Sequence, residues 1–494
     1  MMILALILFP ALMGLASFMT RRNDVRRIVL IATAIVHIVL TATVWLYRPD
    51  PIIDGWLQLD ALGLVFLSIV SCLFMAAAVY AVAYLAKEQP GARPDFEEST
   101  LFVNEPEAVF VGCLLLFLST MTLVTFSHNF GVLWVAVEAT TLSSAPLIYF
   151  HRHHRSLEAT WKYLLICSVG IALALLGTFF LAFAAGGKEA AGVPLVVSEL
   201  IANAPLLRIP FIKVAFLFML VGYGTKMGLA PLHSWLPDAH SEAPSVVSAL
   251  LSGALLNCAF LGILRMTQVL NATGSGDFAR DLLLVFGLLS VVVATVFIVA
   301  QLDFKRMLAY SSIEHMGILA VGVGIGGLGL FGAMLHAVNH SLAKGMLFLV
   351  AGNILARYHT KSIKMISGVS HDLPVSGMLW MAGLFAITGT PPFGLFQSEL
   401  TIIRAAFDTG HILAAIVLLA ALGIIFVGMA SIILAMVYGS GTTSTSDKSP
   451  APRESLYSVI PPAILCGGVL VLGVYIPPAL NQLLAEAARL LGGR

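Results

Sequence analysis

Lys226 stands inside an apolar run, Phe211 to Ala230, that is long enough to enter a bilayer. A lysine at the centre of a membrane helix costs about 2.5 to 3.5 kcal/mol. Gly222, Gly224 and Gly228 flank it, and Pro231 removes a backbone donor just beyond. Carbonyls freed at membrane depth are tolerated only where protein or water satisfies them. A titratable amine beside a loosened helix is how transporters build a midplane site. The alternative is a lysine near a helix end whose amine snorkels to the interface. A helix stopping at Pro231 would leave Lys226 about one turn from that end. The residues alone leave the two readings open.

Other ionisable residues fall inside apolar stretches, and each is a functional candidate that needs a partner. Glu138 lies in GVLWVAVEATTLSSAPLIYF. Lys226 is the candidate partner; the alternative is a packing hydrogen bond to Thr140 or Ser143. The cost of an unpaired buried charge favours a functional pair. In FGAMLHAVNHSLAKGMLFLV, His336, His340 and Lys344 recur every four residues and form one stripe. The stripe spans about 12 Å. Imidazole accepts and donates protons near neutral pH, so the stripe reads as a proton relay. A rival reading is a haem or metal pair, because HxxxH presents two imidazoles on one face. The sequence places no third ligand or cysteine nearby, so no metal is expected. The blander reading is hydrogen bonding between helices. Glu314 and His315 lie in LAYSSIEHMGILA, Glu399 in TGTPPFGLFQSELTIIR, and Asn257 is the polar residue of LLSGALLNCAFLG. The stretch 232–242 reads as a loop whose His233, Asp238, His240 and Glu242 form a channel mouth or, equally, cap neighbouring helices in water. His151, His153 and His154 read as a solvated loop.

Positioning these groups takes a membrane fold. The chain is 59% hydrophobic and only 11% charged, against about 25% charged in a soluble domain. Apolar runs of about 18 residues or more are candidate spans. About fourteen are expected: 2–19, 25–47, 61–86, 107–127, 129–150, 161–185, 211–230, 243–266, 280–301, 307–327, 329–356, 374–407, 411–437 and 457–479. The fold class is all-α and polytopic. The seventh and twelfth segments are read as broken helices, the latter at Gly389, Pro391, Pro392 and Gly394. Residues 107–266 and 280–437 show the same order of buried acid and broken helix, with Glu138 matching Glu314 and Lys226 matching Glu399. Five helices per unit make these inverted repeats. They sit between an N-terminal unit, 1–106, and a linker with a last helix, 438–494. The 439–454 stretch is Ser/Thr/Gly/Pro-rich and reads as a flexible linker. Loops after odd-numbered segments hold over twice the Lys and Arg of the others, counting Lys305 among the former and Arg265 among the latter. That bias predicts cytoplasmic odd loops and both termini outside.

Composition also excludes. A net charge of +1 gives no reason to expect nucleic acid. Cys72, Cys113, Cys167, Cys258 and Cys466 lie singly in apolar segments and read as small buried hydrophobes. There is no Walker loop and no dinucleotide-binding GxGxxG. No cofactor is expected.

TKMGLAPLHSWLPDAHSEAPSVVSALLSG resembles the signature of the proton-antiporter-like subunits. These occur in respiratory complex I, multisubunit sodium/proton antiporters and energy-converting group 4 hydrogenases. QLDFKRMLAYSSIEHMG, HSLAKGMLFLVAGN and PPFGLFQSE match as well, over about the third to thirteenth segments. SSIEHMG and the surroundings of Asn257 look most like hydrogenase 4 component F. The resemblance implies two inverted five-helix repeats, each a half-channel, joined by a polar axis. It implies a Glu138–Lys226 pair, Glu399 as the ionisable residue of the second broken helix, and His340 and Lys344 on the axis. Complex I relatives commonly carry lysine at the position of Asn257; here water or His336 would have to fill that link. The largest relatives end in a long lateral helix, and none is expected here. The implied function is a proton-translocating subunit of a membrane-bound hydrogenase or formate hydrogenlyase, in a prokaryotic inner membrane. Its partners would be other membrane-arm subunits and a peripheral redox arm. The alternatives are an energy-coupling subunit of an inorganic-carbon transporter, a subunit of complex I or of a cation/proton antiporter moving protons or sodium, and a passive anchor.

Overall fold

The computed structural model describes residues 1–88, 91–95, 101–186, 192–439 and 454–493. In chain order the helices are α1 (Met2–Met19), α2 (Asn23–Leu46), α3 (Ala61–Lys87), α4 (Glu107–Phe126), α5 (Phe130–Ile148), α6 (His154–Ala185), α7 (Val197–Ala202), α8 (Ile209–Met227), α9 (Trp235–Glu242), α10 (Ser245–Leu250) and α11 (Leu256–Ala272). The remainder are α12 (Gly276–Val299), α13 (Phe304–Ile325), α14 (Leu328–Tyr358), α15 (Val369–Asp372), α16 (Pro374–Ile387), α17 (Gly394–Asp408), α18 (Ile412–Tyr438), α19 (Leu456–Val474) and α20 (Pro478–Leu490). The described β structure in strands is one short pair, β1 (Arg93–Pro94) against β2 (Leu101–Phe102). The chain is all-α and crosses the membrane many times.

Twelve described helices are long and apolar enough to span a bilayer, α10 and α11 counting as one. α14 is 31 residues long; its polar stripe lowers its apolarity. It lies in the interior, where that stripe faces protein rather than lipid. Burial grades outward from there. Every residue in the apolar windows of α10–α11 and α13 is buried, against about a third for α1 and α2. Small residues let the backbones close up where hydrophobic attraction between helices is lost to lipid. A Cβ on Gly222 of α8 would lie 2.5 Å from the Gly170 carbonyl of α6.

Both expected breaks are present. α8 ends at Gly228, whose φ of +86° is left-handed, and the chain restarts as α9. Trp235 Nε1 donates to the Thr225 carbonyl at 2.8 Å, and Ala230 N donates to Ser290 Oγ at 2.9 Å. The second break separates α16 from α17; Asn339 Nδ2 donates to the Gly394 carbonyl at 2.9 Å. Between α10 and α11 the helix widens into a π turn, Leu251–Leu255.

Several expectations need correction. The stretch 232–242 is mostly the helix α9, not a loop. Arg265 and Lys305 are not loop residues: Arg265 is fully buried in α11, and Lys305 is buried in the first turn of α13. Each finds partners inside the protein: Arg265 forks onto the Asp60 carboxylate, and Lys305 donates to the carbonyls of Ser241 and Ala243. Cys72 is exposed and Cys466 half-buried, so neither is a fully buried hydrophobe. An amphipathic helix, α20, follows α19 and packs back on α3 and α14, with Arg48 paired to Glu486 at 2.7 Å. No long lateral helix follows α19 among the described residues. The 439–454 linker lies almost wholly outside them.

Candidate functional site

The ionisable side chains gather into two clusters flanking the π turn. In the first, Lys226 is fully buried in the last turn of α8, where the helix C-terminus favours a cation. Its Nζ donates to Thr141 Oγ1 at 2.8 Å and to Tyr163 Oη at 2.5 Å. It also stands 4.3 Å from the centre of the Tyr163 ring, a cation–π contact. The snorkelling reading of Lys226 fails on this burial. Glu138 is half-buried on α5. Its carboxylate accepts from Ser168 Oγ at 3.1 Å and from Thr141 Oγ1 at 3.3 Å. The expected Glu138–Lys226 pair is therefore indirect. Thr141, one turn along α5 from Glu138, takes the lysine on one side and the carboxylate on the other. The packing alternative, Thr140 or Ser143, is not used: both hydroxyls donate to backbone carbonyls of α5.

The second cluster is deeper. Glu314 and His315 of α13, and His336, His340 and Lys344 of α14, have no exposed surface, and Glu399 of α17 is 5% exposed. The stripe faces α13 along its length. His336 Nε2 lies 3.0 Å from His315 Nδ1, and His336 Nδ1 lies 2.9 Å from Ser398 Oγ. The His340 ring lies 5.1 Å from the His315 ring, centre to centre. Lys344 Nζ donates to the Leu308 carbonyl at 2.7 Å. Both oxygens of Glu314, both nitrogens of His340 and Glu399 Oε1 are buried without a protein partner. Such groups call for water or a transferable proton.

Between the clusters, Asn257 Nδ2 donates to the Gly253 carbonyl of the π turn at 2.9 Å and to Ser341 Oγ of α14 at 2.8 Å. Ser252 Oγ meets Ser312 Oγ at 2.7 Å. His336 turns to His315 and Ser398 rather than to Asn257, which meets Ser341 instead.

The four mouth residues turn to different partners. Asp238 pairs with Lys162 at 2.9 Å and Arg306 at 2.6 Å. Glu242 pairs with Lys361 at 2.6 Å and faces His153 at 3.7 Å. Burial alone would raise the Glu242 carboxyl, but Lys361, Arg155 and His153 outweigh it and hold it below its ordinary value. His233 is half-buried beside Tyr310. His240 turns inward, fully buried and stacked on Phe348 at 5.3 Å. Glu242 lines a cavity of about 270 Å³ on one face of the bundle, with His151, His153 and Arg155. The cavity reaches Lys305, whose Nζ donates to the carbonyls of Ser241 at 2.9 Å and Ala243 at 2.6 Å.

Sequence reasoning missed Thr141, Tyr163, Ser398 and Lys305, because hydroxyls and a lysine near a helix end carry no spacing signal. It also missed His37, set between Ser71 and Thr122 at 3.0 Å from each. On the opposite face, Arg265 of α11 forks onto Asp60, which precedes α3, with His128 3.7 Å from that carboxylate.

Residues 127–426, which contain both clusters and both breaks, match the family described as NADH:quinone oxidoreductase/Mrp antiporter, TM. The chain belongs to this proton-antiporter family. Among relatives, a hydrogenase-4 component F homolog from Methylacidiphilum infernorum is 36% identical over 448 residues, covering 90% of each chain. Hydrogenase-4 component B from Escherichia coli is 28% identical over 464 residues, 88% of this chain and 65% of that one. The fold matches a solved chain of the archaeal membrane-bound sulfane sulfur reductase with TM-score 0.85 at 21% identity, over 99% of this chain and 96% of that one. It matches a chain of the Mrp complex from Dietzia with TM-score 0.83 at 20% identity, over 98% and 96%. The chain is thus an antiporter-like, multi-pass membrane subunit of the kind found in energy-converting complexes.

Proposed function

We propose that this protein moves protons across a prokaryotic cell membrane as one membrane-arm subunit of an energy-converting oxidoreductase of the group 4 hydrogenase or formate hydrogenlyase type. One observation carries the reading. Charged and titratable groups line up through the interior, and many of their atoms have no protein partner. Glu138, Lys226, Asn257, Lys344, Glu314, His340, His336 and Glu399 make the path in that order, with Thr141, Ser341 and His315 as links. A purely anchoring subunit has no use for so many costly buried charges. The balance of donors favours protons over sodium: amines and imidazoles exchange protons, while hard cations need several oxygen ligands.

Residues 107–266 and 280–437 act as two inverted half-channels. Lys226 precedes the first break and Glu399 follows the second, so the two charges reach the axis from opposite sides of their breaks. The cavity at Glu242 and Lys305 is the mouth on the cytoplasmic side, with both termini outside. Other membrane-arm subunits flank the chain, and a peripheral redox arm supplies the energy. The half-buried position of Glu138 fits contact with such a neighbour.

The test is affinity purification through a tag on this chain, then proton uptake by the assembled complex in proteoliposomes made without sodium. Hydrogenase-type subunits should copurify and uptake should follow turnover. Uptake that requires sodium, or a complex without a redox arm, would contradict the reading. A reporter in the 439–454 stretch should be cytoplasmic and one after Arg494 outside.

A further inference from the structure

His336 is fixed by what its two ring nitrogens face. Ser398 Oγ donates to the Leu395 carbonyl at 2.9 Å. Only lone pairs remain on that hydroxyl for the imidazole 2.9 Å away, so His336 Nδ1 is the donor. A neutral His336 then presents a lone pair on Nε2, aimed at His315 Nδ1 3.0 Å away. A histidine whose far nitrogen is donated to a neighbour, with its tautomer locked and its lone pair turned inward, is the usual setting of a metal-ligating imidazole. A third donor comes from a different helix. One ligand atom from each of His315, His336 and Glu399 lies within 4.8 Å of the other two. All three side chains are buried, and Glu399 Oε1 has no partner.

We propose that His315, His336 and Glu399 form a binding site for a divalent transition-metal ion of the zinc class. Two imidazole nitrogens and a carboxylate oxygen are a donor set that zinc takes in four-coordinate sites, with the last position open to water. Metal–nitrogen bonds of about 2.0 Å at tetrahedral angles put ligand atoms about 3.3 Å apart. The two nitrogens already stand at 3.0 Å, so the ion takes the place of the hydrogen bond between them, and rotation of Glu399 closes the rest. Coordination through His315 Nδ1 moves that proton to Nε2, which is without a hydrogen-bond partner and whose ring stands beside the Ile387 carbonyl. No proton is gained or lost by the histidine pair. Glu314 faces the cluster from α13, and His340 and Lys344 from α14; the carboxylate favours a dication there and the amine opposes it.

The consequence rests on the transport reading given above. An ion held by α13, α14 and α17 fastens the second break and takes both imidazoles out of proton exchange, so it inhibits. Binding itself rests on geometry alone, and the two are measured separately. The full chain in detergent is stripped with a chelator, loaded with Zn2+, desalted and analysed for metal. Co2+ replaces Zn2+ for visible spectroscopy. One equivalent of Zn2+ per chain is expected, with the ligand-field bands of four-coordinate Co2+. His336→Ala and Glu399→Gln should each abolish the bands in protein that still unfolds cooperatively, while His340→Ala and His154→Ala keep them. Where His336→Ala does not fold, Ser398→Ala unlocks the tautomer and should weaken binding roughly 10- to 100-fold. Metal retained in folded Glu399→Gln, unchanged affinity in Ser398→Ala, or no uptake by the wild-type chain overturns the site. Stoichiometric Zn2+ with undiminished proton uptake by the complex upholds the site and overturns the transport role of the histidine pair.

Discussion

Replacing Thr141 by valine keeps the shape of the side chain and removes the hydroxyl between Glu138 and Lys226. Two hydrogen bonds go with it, one from Lys226 at 2.8 Å and one to Glu138 at 3.3 Å. Neither charge is stranded: Lys226 keeps Tyr163 and Glu138 keeps Ser168. Assembly should survive. Hydrogen bonds to charged groups contribute about 1.5 to 3 kcal/mol. If the bridge couples the two charges during transfer, losing it should slow proton movement roughly 10- to 100-fold, at about 1.4 kcal/mol per decade. Thr140→Val is the control, since the Thr140 hydroxyl donates only to the Val137 carbonyl at 2.6 Å. The assay is proton uptake per turnover of the redox arm in proteoliposomes, with a blot for assembly. Wild-type uptake in assembled Thr141→Val, or equal loss in Thr140→Val, would refute the relay through this hydroxyl.

The remaining predictions concern the opposite face and the second break. Burial opposes charge on Asp60, but Arg265 and His128 outweigh it and hold the carboxyl well below its ordinary value. Its contribution to stability is therefore whole above the unfolded value of about pH 4 and is lost as pH falls further. Asp60→Asn leaves Arg265 buried and unpaired, which should cost about 3 to 5 kcal/mol at neutral pH; an unchanged melting temperature would contradict this. Gly389 has a φ of +59°, and a Cβ there would lie 1.9 Å from Glu399 Oε2. Gly389→Ala should cost about 1 to 2 kcal/mol in backbone strain and displace the carboxylate, so proton uptake should fall while the complex still assembles. Normal uptake in that variant would remove Glu399 from the path.

Much of this architecture was legible in the chain because charge in an apolar run is a strong signal. Lys226, Glu138, Glu314, Glu399 and the His336–His340–Lys344 stripe stood out against lipid-compatible surroundings, and Gly and Pro marked both breaks. What the sequence hid was lateral. Thr141 and Ser398 are ordinary residues in apolar segments until folding sets them between charges. His315 stood beside Glu314 in sequence, but one residue along a helix turns it about 100° away, towards His336. The 232–242 stretch read as a loop because its Pro and polar residues mimic one; its apolar residues instead bury it as α9. Arg265 reads as a loop charge because its partner, Asp60, comes from the distant stretch before α3.

The central claim is that buried charges on this path move protons, and Glu138 and Lys226 test it most directly. Proton uptake is measured in proteoliposomes holding assembled complex with Glu138→Gln, Lys226→Ala and the two combined. Each single variant should abolish uptake, and the double should lose little more than either, because residues acting as one unit are not additive. Full uptake in both assembled single variants would contradict the account.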